Sequence, residues 1–534
     1  MIVTISKNRV TKVFSAFKIN PILILGAILV IFSVLAYGRF LQNGLGLAYN
    51  DARSHLDIGR RVVESLKPGL AQLGSVWLPL THALMIPTIG NDFMWHSGLS
   101  GAIQSMAAFV ATGILIYKFL ERLKVGSLGR LVGVAVFAVN LNVLYLQSTA
   151  MTELMLLATM TAGCYKLLVW HQTDNLLELI QSAFWIMLST LIRYDGWFLL
   201  LFSTILVALH TWKKKNYSTA EGMTIIFCTL GGLGIALWFL WNQLIFKDAL
   251  YFAFGPFSAR AQQAQLSAAG VLATKGNLGL STKIYFYALM YNSYTLPAIL
   301  GLIGAIILLK DKALSLSTKL ASLTLLAPLA FNILALYLGF SVLFVQGLSG
   351  NTWFNVRYGV MLMPSIAIFL GFLVHKAGHL RWTVVGLTAF VLFFAMANQD
   401  AVTIDDARVG ASQKNVSEVA GFLNTYAKNQ PGFILISAAS HDAIIFSSGL
   451  PMKRFIHEGT GAYWEAATTA PERWARWIIM RTYDDNDLTW KFVSRTQGFS
   501  SYDLLFHLPF ADVYEIRSDY LSQLQYQPVF KNQK

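Results

Sequence analysis

Charged side chains are scarce in this chain: Asp, Glu, Lys and Arg make up 13% of its 534 residues, whereas 55% are hydrophobic. Soluble domains carry about 25% charged residues, so most of this chain is not expected to face water. The two cysteines, Cys164 and Cys228, lie inside apolar segments, and no disulfide framework is implied. Walker-loop, HExxH, GxSxG and CxxC motifs are missing. The composition that remains is that of a polytopic membrane protein.

The sequence contains many long apolar runs. A helix needs roughly 20 apolar residues to cross a bilayer, and eleven runs approach that length. The first run lacks a convincing cleavage site, which predicts a retained signal anchor. The apolar stretch 76–89 is short and broken by Pro79 and Pro87, so it is expected to be re-entrant or interfacial. The predicted spans are 20–38, 94–117, 129–147, 153–170, 176–193, 197–211, 223–246, 284–309, 319–343, 358–375 and 381–398.

Loop charges predict the orientation. The net charge of +14 does not indicate a nucleic-acid partner, because Lys and Arg are spread through loops between apolar runs. The loops 148–152, 194–196 and 344–357 are nearly free of both, whereas the tail before the first span is basic. The positive-inside rule therefore places the amino terminus in the cytoplasm, and an odd number of spans leaves the carboxyl terminus outside. The basic loops predicted on the cytoplasmic side are 118–130, 213–215, 310–319 and 376–381.

The chain divides into two predicted domains. Residues 1–398 hold all the predicted spans and form a multi-pass domain of the cell membrane. After residue 398 charged residues become more frequent and the apolar segments become shorter. The segments FILISA and WIIMRT are typical of buried strands, and 416–428 is typical of a helix. About 135 residues suffice for one small α/β domain. The predicted fold class is an α-helical polytopic membrane protein with a small extracytoplasmic α/β domain over 399–534.

The segment YNDARSHLDIGRRVVESLKPGLAQLGSVWLP follows the first span directly. Asn50 is expected to cap a helix that begins at Asp51, and Pro68-Gly69 to end it. Arg60 and Arg61 are interpreted as snorkelling anchors of an interfacial helix. A charged helix on the membrane surface beside one placed carboxylate suggests chemistry at the interface.

Ionisable residues from four segments are predicted on the same outer face. Asp51 lies in the first loop, and LQSTAMTEL, LIRYDGW and FNVRYG contribute Glu153, Arg193, Asp195 and Arg357. Charges at membrane depth are costly and usually functional or paired. Simpler interpretations stay open: Asp51 and Glu153 are also typical first-turn acids of a helix, and Arg193 with Asp195 is a typical local ion pair.

One chemistry uses these residues together. A carboxylate accepts the proton of an attacking hydroxyl, and arginines hold a phosphate and stabilise charge developing on it. Nucleotide sugars are generally unavailable outside the cytoplasm, so an activated donor is expected on a lipid. The pattern favours transfer of a sugar from a polyprenyl phosphate. A metal shared by Asp51 and His55, four residues apart, has no further ligand spacing to support it.

The motifs quoted above resemble those of a known superfamily. The first-loop segment, followed in order by LQSTAMTEL, LIRYDGW, WNQLIFKDALYF and FNVRYG, is similar to GT-C membrane glycosyltransferases over about the first 400 residues. It points to a prokaryotic branch of the group that contains the protein O-mannosyltransferases and the lipid A aminoarabinose transferases. The tail resembles the extracytoplasmic domain of such proteins. Asp51 is followed by Ala52 rather than by the Glu of the mannosyltransferases, which leaves the acceptor open.

The resemblance implies a GT-C fold, a polyprenyl-phosphate sugar donor and inverting chemistry. Asp51 matches the acid of the first outer loop that acts as general base. No cofactor is implied, and a divalent metal has no support beyond the weak pattern above. The other candidate site residues are Arg193, Arg357 and Tyr358 for the donor phosphate, and Glu153, His55, Asp195 and Trp77 for substrate, with no metal ligand.

The predicted function is therefore that of a polyprenyl-phosphate-sugar-dependent glycosyltransferase of the hexosyltransferase class. Its expected partners are the lipid-linked sugar, a glycan, lipid or protein acceptor, and membrane lipids. The loop 247–283, with Arg260 and Lys275, is expected to close over the donor as a lid. A lipid-linked saccharide flippase is the main alternative, although it would favour inverted repeats and charges near the bilayer midplane. A non-catalytic partner in an envelope assembly is a third interpretation.

Overall fold

The fold is described from a computed structural model. The described residues are 20–256, 258–268, 270–410, 413–508 and 511–527, with the backbone alone at 262, 265, 410 and 413–415. The basic residues of the amino-terminal tail, which contribute to the predicted orientation, lie outside the described residues: Lys7, Arg9, Lys12 and Lys18.

The described chain between residues 20 and 410 is mainly helical, and polar caps begin many of its helices. Asn and Ser side chains accept hydrogen bonds from backbone N–H groups two or three residues later at Asn20, Asn91, Asn140, Asn175, Asn216, Asn277 and Ser315. The helices are α1 Pro21–Gln42, α2 Asn50–Val63, α3 Leu80–Ile89, α4 Asp92–His96, α5 Leu99–Arg122, α6 Ser127–Ala138, α7 Leu141–Leu146, α8 Glu153–Thr173, α9 Leu176–Thr190, α10 Asp195–Lys214, α11 Tyr217–Phe246, α12 Tyr251–Phe254, α13 Ala259–Ala268, α14 Leu278–Ser293, α15 Thr295–Lys310, α16 Leu316–Leu323, α17 Ala327–Leu338, α18 Met363–Lys376, α19 Arg381–Ala397 and α20 Val402–Gly410.

Eight helical segments of the described chain are long and apolar enough to cross a membrane, and the bent pair α14–α15 makes a ninth if it is one span. All eleven predicted spans fall on helices, but two of them fall on shorter ones. The run 129–147 is divided because Asn140 caps α7, which leaves α6 with 12 residues, and α9 has 15. The stretch 76–89 contains the 10-residue helix α3, which is too short to span.

The helix α2 differs in its ends from the prediction. It begins at Asn50, with Tyr49 at the cap position and no side-chain cap, rather than being capped by Asn50. It ends at Val63, well before Pro68. Nine of the 14 residues of this helix are buried, so most of its surface is covered by other parts of the chain. This helix therefore lies inside the assembly of elements rather than on a membrane surface.

The tail contains a five-stranded sheet in the order β2-β1-β3-β5-β4. The predicted strands are confirmed as β1 and β3, which pair in parallel, with Ile436 opposite Ile479. Helix 416–428 is confirmed as α21, which continues as a π-helical segment to Ala427. The elements are α21 Gln413–Phe422, β1 Phe433–Ile436, α22 Ala438–Ser447, β2 Phe455–Ile456, α23 Ala462–Thr469, α24 Pro471–Trp474, β3 Ala475–Met480, α25 Leu488–Val493, β4 Tyr502–Phe506 and β5 Asp512–Ile516.

The segment 39–92, between the first two predicted spans, joins the sheet to the helices. Arg53 on α2 donates to the Ser447 hydroxyl at the end of α22 (3.3 Å), and Gln72 donates to the carbonyl of Gly459 after β2 (2.8 Å). Thus the carboxyl edge of the parallel strands β1 and β2 faces the loop that carries Asp51. The boundary at residue 398 between the two domains stays a prediction.

Candidate active site

Four segments that are distant in sequence meet at one end of the helical part. Asp51 lies in the first turn of α2, and Glu153 is the first residue of α8. Arg193 lies in the turn after α9, and Asp195 begins α10. Arg357 lies in the 3₁₀ segment Val356–Leu362 that precedes α18. The structure thus brings together the ionisable residues that the sequence motifs single out.

Arg357 is the centre of this cluster. Its Nη2 lies 2.5 Å from Asp51 Oδ2, its Nε lies 3.1 Å from Glu153 Oε1, and its Nη1 lies 3.9 Å from Asp406 Oδ2. The guanidinium carbon also lies 4.8 Å from the centre of the Tyr49 ring. The side chain is only 6% exposed, so its charge is held by three carboxylates and an aromatic face rather than by water.

Glu153 links the two arginines of the cluster. Its Oε1 lies 3.1 Å from Arg357 Nε and 3.3 Å from Arg193 Nη1, whereas its Oε2 is buried without a hydrogen-bond partner among the described residues. Arg193 also donates to the Thr152 hydroxyl (3.3 Å) and lies over the ring of Tyr358, 4.8 Å from its centre. Tyr358 therefore contacts the guanidinium of Arg193, and the predicted role of both residues at the donor phosphate stays a prediction.

The four carboxylates of the cluster differ sharply in exposure. The side chain of Asp51 is 40% exposed, whereas Glu153, Asp195 and Asp406 are 0%, 1% and 2% exposed. Asp195 accepts from Arg193 Nε (3.4 Å) and from the Asn332 amide on α17 (3.0 Å). Three acids are thus enclosed beside buried groups, and Asp51 is the one of the four that solvent reaches.

Sequence reasoning missed two members of the cluster. The Tyr49 hydroxyl donates to Asp406 Oδ2 (3.0 Å), and Asp406 is buried on α20 beside Arg357. The available signal was the pair Asp405-Asp406 in TIDDARVG, which returns acidic charge just after the last predicted span. That signal does not distinguish the buried acid from its exposed neighbour Asp405.

His55, which is buried, and Trp77, which is partly buried, lie in an aromatic group beside the cluster. The Nδ1 of His55 is 2.7 Å from Nε2 of His82 on α3, and the His55 ring lies 4.4 Å from that of Trp77. Burial, and then the charges of Arg357 and Arg193, lowers the pKa of His55 to about 3. His55 is therefore neutral at physiological pH. Among the described residues, no group of three or more His, Cys, Asp or Glu side chains is arranged to hold a metal ion.

The interpretation of Arg60 as a snorkelling anchor is wrong. Arg60 is 6% exposed and donates to Glu64 Oε2 (2.6 Å), Asp92 Oδ1 (2.6 Å) and the carbonyl of Ile89 (2.8 Å). Its guanidinium carbon lies 4.5 Å from the centre of the Trp95 ring. Arg60 therefore ties α2 to the ends of α3 and α4, and a buried ion-paired arginine replaces the expected surface anchor.

A second polar group lies where α2 meets the sheet. Arg61 Nε, Asp57 Oδ2 and His457 Nε2 are buried without hydrogen-bond partners among the described residues. His457 directly follows β2, and burial followed by the charge of Arg61 lowers its pKa. Arg61 itself is partly exposed, so the group is reachable from solvent. Buried polar atoms without partners usually bind water or a ligand.

Comparisons with known proteins identify the fold. Searches against protein-family models and curated proteins find no match. Among solved structures, the crystal structure of ArnT from Cupriavidus metallidurans bound to undecaprenyl phosphate has a TM-score of 0.56 at 9% identity, covering 91% of this chain and 98% of that chain. The apo ArnT structure has a TM-score of 0.54 at the same identity and coverage. An oligosaccharyltransferase from Archaeoglobus fulgidus has a TM-score of 0.48 at 11% identity, covering 85% of this chain and 67% of that chain. At these identities the similarity concerns the fold.

Proposed function

We propose that this chain, which has the fold of the GT-C membrane glycosyltransferases, transfers a sugar from a polyprenyl-phosphate donor to an acceptor hydroxyl, with Asp51 as the general base. The observation that carries this proposal is the exposure of Asp51 within a cluster whose other acids are buried. A base has to reach the proton that it removes, and among these four carboxylates only Asp51 meets that condition. Arg357 fixes one of its oxygens, which orients the carboxylate.

The proposed step is a single displacement. Asp51 takes the proton of the acceptor hydroxyl while that oxygen forms a bond to the anomeric carbon of the donor sugar. The bond between this carbon and the phosphate oxygen breaks, and its electron pair leaves on the polyprenyl phosphate. Attack from the face opposite the phosphate gives inversion. No oxidant, reductant or further reactant is needed.

Arg193 is the better candidate of the two arginines for the departing phosphate. Its side chain is 18% exposed, compared with 6% for Arg357, which already binds Asp51. Negative charge develops on the phosphate as the bond breaks, and a guanidinium beside it stabilises that charge. Tyr358, stacked against Arg193, keeps the guanidinium plane in place. Arg357 then acts chiefly on the base.

The acceptor is proposed to approach between α2 and the carboxyl edge of the parallel strands. Asp51 belongs to α2, and the polar group around Arg61 lies at the junction of this helix with the sheet. The loop 247–283, which contains α12, α13 and the start of α14, is proposed as a lid over the donor, because it carries the basic residues Arg260 and Lys275. We propose the outer side of the membrane for this site, from the loop charges given above.

A sugar-transfer assay with the purified protein tests the proposal. It measures the transfer of radiolabelled sugar from each member of a panel of polyprenyl-phosphate sugars. The panel is offered with membrane extracts that contain endogenous acceptors, with and without a chelator of divalent metals. We expect Asp51→Asn to lower transfer by about three orders of magnitude, as removal of a general base does, while binding of the labelled donor is retained. Asp485→Asn, an exposed acid of the tail, is the matched control.

The possible results of this assay test different parts of the proposal. Transfer by Asp51→Asn at the parental rate would keep the enzyme but remove the base. Absence of transfer, together with movement of lipid-linked sugar across reconstituted vesicles, would favour the flippase. Loss of transfer with the chelator would add a metal requirement to the site.

A further inference from the structure

The helices that carry Glu153 and Asp195 hold a second polar cluster at their other ends. His171 lies 18 residues after Glu153 on α8, and His210 lies 15 residues after Asp195 on α10. At about 1.5 Å per residue, these separations are roughly 27 and 22 Å, close to the thickness of the hydrocarbon core. The second cluster therefore lies at the opposite membrane boundary from the candidate active site.

Three aromatic rings and the end of α10 form this cluster. The rings of Trp170, His171 and His210 are mutually in contact, with centres 4.3 to 5.1 Å apart. A surface pocket beside them is lined by Trp170 and His210 together with Asp174, Thr211, Lys214, Lys215 and Met223. The Nδ1 of His210 is 2.9 Å from the Ser317 hydroxyl of α16, which fixes the ring.

The cluster contains several buried polar atoms without partners. Trp170 Nε1, Thr211 Oγ1 and both ring nitrogens of His171 make no hydrogen bond with the described residues. Trp170, Thr211 and His171 are 2%, 3% and 6% exposed, so bulk water does not solvate them. Indole nitrogen can only donate, and a hydroxyl and a neutral imidazole each have a proton to donate. Such a set is suited to a ligand that accepts hydrogen bonds.

The charges of the pocket indicate the ligand. Lys214 and Lys215 contribute two positive charges, and Asp174, which forms an ion pair with Lys214, offsets one of them. One net positive charge remains, which matches the single negative charge of a phosphodiester. Basic pockets between spans at the membrane boundary are suited to anionic lipid head groups, and Trp is common at that depth.

We propose that the cluster of Trp170, His171, His210, Thr211 and Lys215 binds the phosphodiester of an anionic glycerophospholipid of the phosphatidylglycerol type. The lipid phosphate accepts from Trp170 and Thr211 and lies against Lys215, while the acyl chains remain in the bilayer. Occupation of this site ties the ends of α8, α10 and α16 together. The inference does not depend on the proposed transfer reaction.

Thermal melting of the purified full-length protein in detergent tests this site with defined additives. Phosphatidylglycerol is compared with phosphatidylcholine and with inorganic phosphate, and the lipid that co-purifies is measured by native mass spectrometry. We expect phosphatidylglycerol to raise the melting temperature by several degrees more than phosphatidylcholine. Lys215→Gln and Thr211→Val should lose at least half of that difference. Lys213→Gln, in the same basic run but outside the pocket lining, should keep it.

The design includes outcomes that overturn the proposal. Equal stabilisation by both lipids, or an unchanged response in Lys215→Gln, would leave ordered water as the occupant of the cluster. The same shift with inorganic phosphate would assign the site to a free anion instead of a lipid. Lys215 is exposed, so its replacement decides the question even if Thr211→Val does not fold.

Discussion

Arg357 and Asp51 are 306 positions apart in the chain, and their side chains are in direct contact, with Nη2 2.5 Å from Oδ2. The same guanidinium reaches Glu153 through Nε and Asp406 through Nη1. Arg357 therefore couples the exposed acid to two buried ones. In the proposed reaction it is a positioning residue, because it acts on substrate through Asp51.

The first prediction concerns the shape of the Arg357 side chain. Lysine keeps the charge but cannot present a planar fork to three carboxylates. We expect Arg357→Lys to lower kcat by about 100-fold, because misplacement of a reacting group by about 1 Å has effects of that size, while the KM for the donor changes little. Initial rates over a range of donor concentrations measure this split. The exposed Arg381→Lys is the control, and a variant that raises only the donor KM would place Arg357 on the phosphate instead.

The second prediction concerns the buried charge of Glu153. Replacement by Gln leaves Arg193 and Arg357 without the carboxylate oxygen that they share, and removal of one partner of a buried ion pair costs about 3–5 kcal/mol. The control Glu121→Gln breaks an ion pair with Arg130, in which the Glu121 side chain is 53% exposed. The loss of this exposed pair is expected to lower the free energy of unfolding by only about 0–1 kcal/mol.

Thermal melting of both variants in one detergent checks this difference. We expect a clearly lower melting temperature for Glu153→Gln and nearly the parental value for Glu121→Gln. Similar melting temperatures for the two variants would mean that solvent enters the cluster and screens its charges.

The third prediction concerns acid. The pKa of His55 falls from 6.5 to about 3 in the folded chain, chiefly through burial, and the pKa of His82 is also lowered by burial. Below pH 6.5 these histidines are protonated in the unfolded chain but stay neutral in the folded chain. The free energy of unfolding is therefore highest at neutral pH and falls as the pH drops. Each such histidine contributes up to about 1.4 kcal/mol per pH unit.

Melting temperatures measured from about pH 7.5 to pH 5 check this linkage. His55→Gln should flatten the acid side of the profile, because one of the buried histidines no longer titrates. The exposed His379→Gln should leave the profile unchanged. A parental profile that stays flat down to pH 5 would contradict the neutral state of His55.

Local sequence indicated which ionisable residues meet better than it indicated their further partners. Glu153, Arg193 and Arg357 each lie at an end of a predicted span and Asp51 lies in the loop after the first span, and alternating topology puts these positions on one side. That reasoning needs no tertiary contact. It places residues on a face of the membrane but does not determine which atoms meet.

The missing information was tertiary. Tyr49 and Asp406 are 357 positions apart, and no periodicity in either segment indicates their hydrogen bond. Arg60 has the sequence pattern of a surface anchor, yet Asp92 and the carbonyl of Ile89 enclose it. The bend of 108° between α14 and α15, at Tyr294, likewise depends on a positive φ of 61° that an apolar run does not reveal.

The fourth prediction concerns the acceptor and rests on the proposed function. The polar group at the junction of α2 and the sheet has donors and acceptors without partners, at Arg61, Asp57 and His457 among others. Hydroxyl groups both donate and accept hydrogen bonds, so a polyhydroxylated acceptor satisfies such a mixed set. His457→Gln and Arg61→Gln should therefore weaken acceptor binding without affecting the donor.

This effect is measured as the rate of sugar transfer at varied acceptor concentration. The active donor from the panel is kept at a saturating concentration. We expect the KM for the acceptor to rise about 10-fold in each variant, as the loss of one hydrogen bond to a charged or buried group produces, with the donor KM unchanged. Lys453→Gln, an exposed residue of the same domain, should behave as the parent. A fall in kcat alone would mean that the junction orients α2 and Asp51 instead of binding the acceptor. Unchanged kinetics in both variants would leave water as the occupant of the junction and move the acceptor path to another face of α2.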